Sequence, residues 1–204
     1  MTRIRLATTF CAFVFTAFAG IGMSPKLAAA PAAPRMNEDT QRSFLRKFVV
    51  DVALDGRTWR MDDGTNPFFP QFTGQLFRGK TFIVSGKIYR AGTLKSGGDF
   101  GKPDNPAGPE TPMAIGTWVC RGTFNLDIGE IAAGGFPHVT STQVFTFDAG
   151  GTVVSEGPEG GATVTRAVIG GTARFGGARG DVIEEPLGVN TSNLFNVRFY
   201  FDLN

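Results

Sequence analysis

Apolar and polar residues alternate along much of this chain. In residues 117–128 the side chains of Trp118, Cys120 and Phe124 fall on one face, and hydroxyl and charged side chains fall on the other. Residues 195–203 repeat the pattern, with Phe, Val, Phe, Phe and Leu at every second position. Strict alternation predicts strands with one buried face. A chain end with this pattern is expected to pair within the sheet.

Further strands are predicted over residues 48–54, 81–89, 139–147, 152–156, 162–169 and 181–184. Glycine-rich turns separate these runs, and no window of helical length has the apolar spacing of an amphipathic helix. Short strands joined by such turns predict an all-β domain, either an antiparallel sandwich or a closed barrel. Gly86 and Gly122 lie inside predicted strands, where the curvature of a small barrel favours glycine. Alternation alone leaves open whether the inward face is the Phe195 face or its opposite.

Residues 1–30 differ from the rest of the chain. Arg3 and Arg5 precede a run from Leu6 to Met23 that contains no charge. A basic start followed by an apolar run is typical of a secretory signal peptide, so we expect a secreted or periplasmic protein. The small residues allow cleavage after residue 19 or near residues 30–32. The alternative is an uncleaved anchor, because the uncharged run approaches the length that spans a bilayer.

The remaining sequence divides into a polar, Ala- and Pro-containing linker at residues 31–47 and one β domain at residues 48–204. Removal of residues 1–30 would change the net charge from +2 to −1, because three basic residues and no acidic residue are lost. This balance predicts neither nucleic-acid binding nor stable membrane insertion of the processed chain. Cys120 then has no intramolecular disulfide partner, and the single histidine, His138, argues against a histidine-based metal site.

Two segments break the regular pattern. Residues 74–81 match the Gly-x4-Gly-Lys-Thr motif of phosphate-binding loops, yet the sequence that follows predicts a strand where that motif requires a helix. We therefore expect no nucleotide site there. Residues 95–113 are rich in glycine and proline. This long segment is either a lid over a barrel mouth or a surface insertion, and both interpretations remain open.

Residues 167–180, Ala-Val-Ile-Gly-Gly-Thr-Ala-Arg-Phe-Gly-Gly-Ala-Arg-Gly, resemble the signature of plant dirigent proteins, in which a Gly-Gly-Thr-Gly-x-Phe segment leads into Ala-Arg-Gly. Residues 193–201 resemble the last strand of allene oxide cyclases. These two groups share a superfamily of eight-stranded antiparallel barrels. The resemblance extends over residues 82–203, and it implies a single barrel of this kind.

The resemblance also implies an apolar, aromatic-lined cavity that holds a small hydrophobic molecule and works without a cofactor. Allene oxide cyclases shape an unstable epoxide into one cyclic product, and dirigent proteins orient phenolic radicals for coupling. We therefore expect a cofactor-free cyclase, isomerase or steering protein, with a homotrimer implied by the same resemblance. The alternatives are a carrier of hydrophobic molecules without catalysis and a structural domain of the cell envelope with a filled barrel.

The resemblance assigns a catalytic role to Arg179, the arginine of Ala-Arg-Gly. The alternative for this residue is an ion pair with Glu184 or Glu185 at the barrel rim. Cys120 is a second catalytic candidate, to be weighed against a buried thiol that acts as a small hydrophobe. The candidates for ligand binding are Trp118, Phe124, Tyr89 and Arg166, and the last two have the alternative of pointing to solvent.

Overall fold

The computed structural model describes residues 46–64, 77–95, 109 and 113–204. Eight antiparallel strands close into a barrel in which each strand pairs with the next and the last pairs with the first. The strands are β1 Lys47–Met61, β2 Thr81–Arg90, β3 Gly116–Phe124, β4 Val139–Phe147, β5 Thr152–Glu159, β6 Val164–Gly171, β7 Gly180–Val189 and β8 Phe195–Leu203. The prediction of an all-β, eight-stranded antiparallel barrel is confirmed.

Several predictions concern residues outside the described ones: the leader at 1–30, the linker up to residue 45 and most of the segment at 95–113. Thr81, the last residue of the phosphate-loop motif, begins β2 and not a helix, in agreement with the expectation of no nucleotide site. Two short helical elements are described, a helix α1 at Ile128–Ala132 and a 3-10 turn at Ala173–Phe175. Among the described helices, none has the length and apolar character to cross a membrane.

Two strand boundaries differ from the prediction. β3 ends at Phe124, and Ile128 begins helix α1 where the alternation predicted further strand. The cause is tertiary, because the Asp127 carboxylate accepts hydrogen bonds from the backbone amides of Phe77 and Arg78 at 2.7 and 2.9 Å and turns the chain. β1 runs on to Met61, through a register shift in its pairing with β2.

The inward face of the barrel is now assigned. Trp118 and Cys120 of β3 and Phe199 and Phe201 of β8 are buried in one core cluster, so the Phe195 face points inward. β8 is paired with both β1 and β7 along its length, as expected for a patterned chain end. At Gly122 an added Cβ would lie 2.8 Å from the Phe82 ring, which is too close for a side chain.

Phenylalanine rings fill one end of the barrel. Phe48 stacks on Phe201 with ring centroids 4.5 Å apart, and Phe147 lies 5.3 Å from Phe175. Phe145 adds edge contacts at 5.0 Å to Phe201. Such aromatic contacts close this end by burying large apolar surfaces. The other end, where β3 runs into helix α1, is built differently and contains the candidate site.

Candidate functional site

A cavity of about 430 Å³ opens at the end of the barrel opposite the phenylalanine cluster. Its wall is mainly apolar, with the Trp59 and Phe82 rings 5.1 Å apart and Phe124 5.3 Å from Phe82. Helix α1 contributes Ile131 and Ala132 near the mouth. The further lining residues are Leu54, Val84, Trp118, His138, Val139, Glu159, Gly160, Gly161, Glu184, Pro186, Leu194, Phe195 and Val197. This size and lining suit a small hydrophobic ligand.

Below the aromatic wall, a layer of polar side chains crosses the barrel interior. We call it the polar layer, and its members are Ser141, Gln143, Ser155, Glu159, Arg166 and Glu184. Glu159 and Glu184 line the cavity, with 17% and 11% of their side chains exposed. The polar layer therefore presents two carboxyl groups to an otherwise apolar cavity. Buried carboxyl groups require partners, and each has them.

The Glu159 carboxylate is held through one oxygen. Its Oε1 accepts hydrogen bonds from Gln143 Nε2 at 2.7 Å, from Arg166 Nη1 at 3.3 Å and from the Cys120 thiol at 3.4 Å. The Ser141 hydroxyl donates to the same oxygen. These donors stabilise the negative charge of Glu159 in a buried position. They also fix the orientation of its carboxylate relative to the cavity.

Arg166 is the cation of the polar layer, and its side chain is fully buried. Besides Glu159, it donates to the carbonyl oxygens of Gly157, Pro158 and Ser141 at 3.1, 2.9 and 2.8 Å. Its Nε lies 3.8 Å from Glu184 Oε2. Arg166 thus neutralises one carboxylate charge and ties three backbone carbonyls together. Its donors are directed at groups of the protein and not at the cavity.

Glu184 is the second carboxyl group, and its Oε2 accepts a hydrogen bond from Gln143 Nε2 at 2.9 Å. Burial, followed by the negative charge of Glu159, raises the pKa of Glu184 from 4.5 to about 8, against the opposing effects of Arg166 and Gln143. Glu184 therefore carries a proton at pH 7, while Arg166 balances Glu159. A carboxyl group with a pKa near neutrality can both donate and accept a proton.

The structure places four of the six predicted site residues at or beside the cavity. Trp118 and Phe124 line it. Arg166 belongs to the polar layer, and the alternative of a solvent-facing Arg166 is wrong because the residue is 1% exposed. Cys120 lies in the same interior, where burial and the charge of Glu159 raise the pKa of its thiol well above the usual value. A thiol in this state is protonated and a poor nucleophile.

The other two predicted residues lie away from the cavity. Tyr89 is buried on the outer face, against Ala53, Leu94 and Leu187. Its hydroxyl donates to the carbonyl oxygen of Pro109 at 3.2 Å. The solvent-facing alternative for Tyr89 is therefore also wrong, because Leu94 packs against the residue and Pro109 accepts its hydrogen bond.

Arg179 is exposed at the start of β7, and its guanidinium donates to the carbonyl oxygen of Ala178 at 2.8 Å. The alternative ion pair of Arg179 is not formed, because Glu184 points into the polar layer and Glu185 accepts a hydrogen bond from Tyr200. The catalytic role assigned to Arg179 stays a prediction, and the site described above is built without it.

Sequence reasoning missed both carboxyl groups of the site. Glu184 lies two residues after Val182 on β7, so the period of two places both on the same, inward face. Glu159 follows Gly157 and Pro158, and this pair is typical of a turn, whereas in the structure β5 continues through both residues to Glu159. The signal for Glu184 was present in the alternation, whereas that for Glu159 depends on the strand continuing past a proline.

Within the described ranges, no group of three or more His, Cys, Asp or Glu side chains is arranged to hold a metal ion. The polar layer instead brings together two carboxyl groups and one arginine, and one of the carboxyl groups, Glu184, has a pKa raised to about 8. Glu159 and Glu184 of the polar layer line an otherwise mainly apolar cavity, so a ligand bound there would contact their carboxyl groups.

No protein-family model matches the chain, and no curated protein matches it. Solved structures do match at low identity. A pyocyanin demethylase is 16% identical with a TM-score of 0.48, over 78% of this chain and 99% of that chain. The pterocarpan synthase dirigent protein GePTS1 is 14% identical with a TM-score of 0.47, over 91% and 96%. A second such protein, PsPTS1, is 12% identical with a TM-score of 0.47, over 77% and 91%. The fold itself is defined by the strand pairings described above.

Proposed function

We propose that this protein binds a small hydrophobic molecule in the barrel cavity and catalyses a cofactor-free isomerisation or cyclisation of it. The observation that supports the proposal is the position of the protonated Glu184 carboxyl group at the floor of an aromatic-lined cavity. The wall supplies binding energy through burial of apolar surface. The carboxyl group supplies a proton where water is largely excluded.

In the proposed reaction, Glu184 donates its proton to one atom of the ligand. The resulting carboxylate then removes a proton from another atom, which regenerates Glu184 and leaves the elemental composition of the ligand unchanged. Both steps suit a group whose pKa lies near the working pH. Glu159, Arg166 and Gln143 act as positioning residues, because they hold Glu184 and balance the charge around it.

The shape of the cavity contributes as well. Trp59, Phe82 and Phe124 form an aromatic wall that restricts how a ligand can lie near Glu184. Fixing the reacting atoms in one orientation lowers the activation barrier by reducing the entropy lost in the transition state. We further propose that the protein acts outside the cytoplasm, on the basis of the charge pattern of residues 1–30.

The proposal is tested by recovering the ligand from the protein. Full-length protein purified from its own cells is denatured, and released small molecules are identified by mass spectrometry. Ala132→Trp, a bulky change near the cavity mouth, serves as the matched variant and should release less of the same compound. The recovered compound is then incubated with protein and should give a product of equal mass.

The outcomes separate the candidate functions. A product of equal mass that requires Glu184 supports catalysis. Recovery of a ligand that the protein leaves unchanged would show a carrier and contradict the catalytic part of the proposal. A cavity that is empty in protein from every growth condition, with no product formed from any hydrophobic extract of those cells, would contradict ligand binding as well.

A further inference from the structure

Glu159 and Glu184 each use one carboxyl oxygen for contacts with the protein. Within the described residues, every hydrogen bond to the Glu159 carboxyl group ends on Oε1, and Gln143 Nε2 and Arg166 Nη1 are among its donors. Glu184 accepts from Gln143 Nε2 through Oε2 at 2.9 Å, and Arg166 Nε lies 3.8 Å from the same oxygen. The other two oxygens, Glu159 Oε2 and Glu184 Oε1, therefore have no hydrogen-bond partner in the part of the chain that the structure describes.

These two open oxygens can be reached from the cavity. Among the described residues, the buried side-chain nitrogen and oxygen atoms without a partner are the indole nitrogens of Trp59 and Trp118. Glu159 Oε2 and Glu184 Oε1 also lack a partner but do not belong to that buried set, so each keeps accessible surface. Glu184 is only 8% exposed, and both residues line the cavity. The accessible part of each carboxyl group therefore faces the cavity, where a ligand can contact it.

The charge of Arg166 determines how many protons the two carboxyl groups hold together. Its side chain is fully buried, and its ion-pair partners among the described residues are Glu159 and Glu184. A buried guanidinium needs one negative partner, whereas two neighbouring carboxylates beside a single cation would leave a surplus charge. The two groups therefore share one proton at neutral pH, in agreement with the pKa of Glu184, which is raised to about 8.

Two carboxyl groups that share one proton offer the cavity one donor and one acceptor. The protein's own donors are directed at Glu159 Oε1 and Glu184 Oε2, so a proton on either group lies on the open oxygen. The protonated group can donate to a ligand and the ionised group can accept from it, whichever residue holds the proton. Both groups bind the same nitrogen of Gln143, so they are close neighbours. A ligand satisfies both open oxygens when it carries an acceptor beside a donor.

We propose that the ligand is a compact apolar ring compound with a hydrogen-bond donor beside an acceptor, as in a lactam or a hydroxy ketone, and that Glu159 Oε2 and Glu184 Oε1 bind this polar edge. The aromatic wall of Trp59, Phe82 and Phe124 and the cavity volume of about 430 Å³ suit the ring. This inference rests on the proposed function and names its substrate class. It makes Glu159 a ligand-binding residue as well as a positioning residue.

The test compares four bicyclic probes of similar size. Tetralin is a hydrocarbon, tetralone adds a carbonyl acceptor, and dihydroquinolinone is the corresponding lactam, in which an N–H donor lies beside the carbonyl group. The N-methyl derivative of dihydroquinolinone keeps the acceptor and lacks the donor. Their affinities for the full-length protein are measured by titration calorimetry at pH 7. Dihydroquinolinone should bind about tenfold tighter than tetralone or the N-methyl derivative, because both lack the hydrogen bond to the ionised group.

A variant assigns the effect to the carboxyl groups. Glu184→Ala removes one open oxygen and leaves Arg166 paired with Glu159, so no buried charge loses its partner. In this variant the ratio of dihydroquinolinone affinity to tetralin affinity should fall about tenfold. Glu185→Gln, a change on the outer face of the same strand, should keep the wild-type ratio. Each ratio compares two probes on one protein, so a change in cavity size affects both probes alike.

A measurement on the unaltered protein does not depend on how well the variant folds. The N–H proton of isotope-labelled dihydroquinolinone is followed by NMR spectroscopy. A hydrogen bond from this N–H to a carboxylate moves its resonance downfield. The probe bound to the wild-type protein should therefore resonate downfield of its position in water.

The outcomes distinguish the two proposals. If none of the four probes binds, the proposed function itself is contradicted. If all four bind equally, or the N–H resonance stays at its position in water, the cavity binds apolar molecules and the proposed substrate class is overturned. Binding of tetralone or the N-methyl derivative as tightly as dihydroquinolinone would overturn the need for a donor. An unchanged affinity ratio in Glu184→Ala would overturn the role of Glu184 in binding the polar edge.

Discussion

Replacement of Glu184 by glutamine should change how the stability of the barrel depends on pH. Glutamine has nearly the shape of glutamic acid, cannot ionise and keeps an oxygen that can accept from Gln143. In the wild-type protein, burial and the charge of Glu159 raise the pKa of Glu184 from 4.5 to about 8. The folded state therefore binds the Glu184 proton more tightly than the unfolded state does.

The size of the effect follows from this difference. Each pH unit between 4.5 and about 8 corresponds to about 1.4 kcal/mol, so ionisation of Glu184 costs the folded state about 5 kcal/mol in total. The stabilising contribution of the proton is complete below pH 4.5 and is lost as the pH rises towards 8. The free energy of unfolding of the wild-type protein should thus fall, relative to Glu184→Gln, across this range.

Urea denaturation at a series of pH values from 5 to 9 measures this difference. Glu185→Gln is the matched control, because Glu185 lies on the outer face of the same strand and bonds to Tyr200. Its stability curve should run nearly parallel to that of the wild type. Parallel curves for Glu184→Gln and the wild type would show that Glu184 ionises normally, and the proposed proton donor would be lost.

Other parts of the structure give further expectations. Arg166→Met leaves the buried Glu159 carboxylate without its cation, so the free energy of unfolding at pH 7 should fall by about 3–5 kcal/mol in urea denaturation; an unchanged value contradicts the buried pair. The Cys120 thiol is buried with a raised pKa, so a disulfide reagent should modify it far more slowly in native than in urea-unfolded protein. Equal rates would show that the thiol is accessible. Gly180 has a φ of +130°, and a Cβ added there would lie 2.1 Å from the carbonyl oxygen of Asp202. Gly180→Ala should therefore lower the free energy of unfolding by more than about 2 kcal/mol in urea denaturation. An unchanged free energy of unfolding would contradict this close approach.

The strands that the sequence predicted best are those with uninterrupted alternation. The predicted bounds of β4 at 139–147 and β8 at 195–203 agree with the structure. The prediction failed at the end of β3, where Asp127 is held by amides of Phe77 and Arg78, nearly 50 residues earlier in the chain. Contacts over such distances are not encoded in local periodicity.

The site was harder to predict than the fold, because its polar residues point inward. Trp118 and Phe124 follow the rule that apolar residues face the interior, and they were found by it. Glu184 and Glu159 violate the rule, and alternation treats an inward carboxyl group as an interruption of the pattern. Sites of function are where local rules fail, since buried polar groups destabilise a core unless the structure pairs them.

The burial of Tyr89 on the outer face of β2 could not be predicted from the strand pattern either. Ile88 and Tyr89 are neighbours on β2, so the alternation correctly places them on opposite faces of the sheet. Both residues are nevertheless fully buried. Leu94 and Pro109 cover Tyr89 from outside the barrel. A strand pattern assigns a residue to a face of the sheet, but it does not show what packs against that face.

Proton transfer from Glu184 to a ligand in the cavity is the central claim, and hydrogen exchange of a bound ketone tests it most directly. Tetralone is incubated in D₂O at pH 7 with full-length protein, and deuterium uptake beside its carbonyl group is followed by mass spectrometry. The wild-type protein and Glu185→Gln should both accelerate uptake over buffer, whereas Glu184→Gln should bind tetralone and lose about a hundredfold or more of the acceleration. Uptake at the buffer rate with bound tetralone, or equal uptake with Glu184→Gln, would contradict the account.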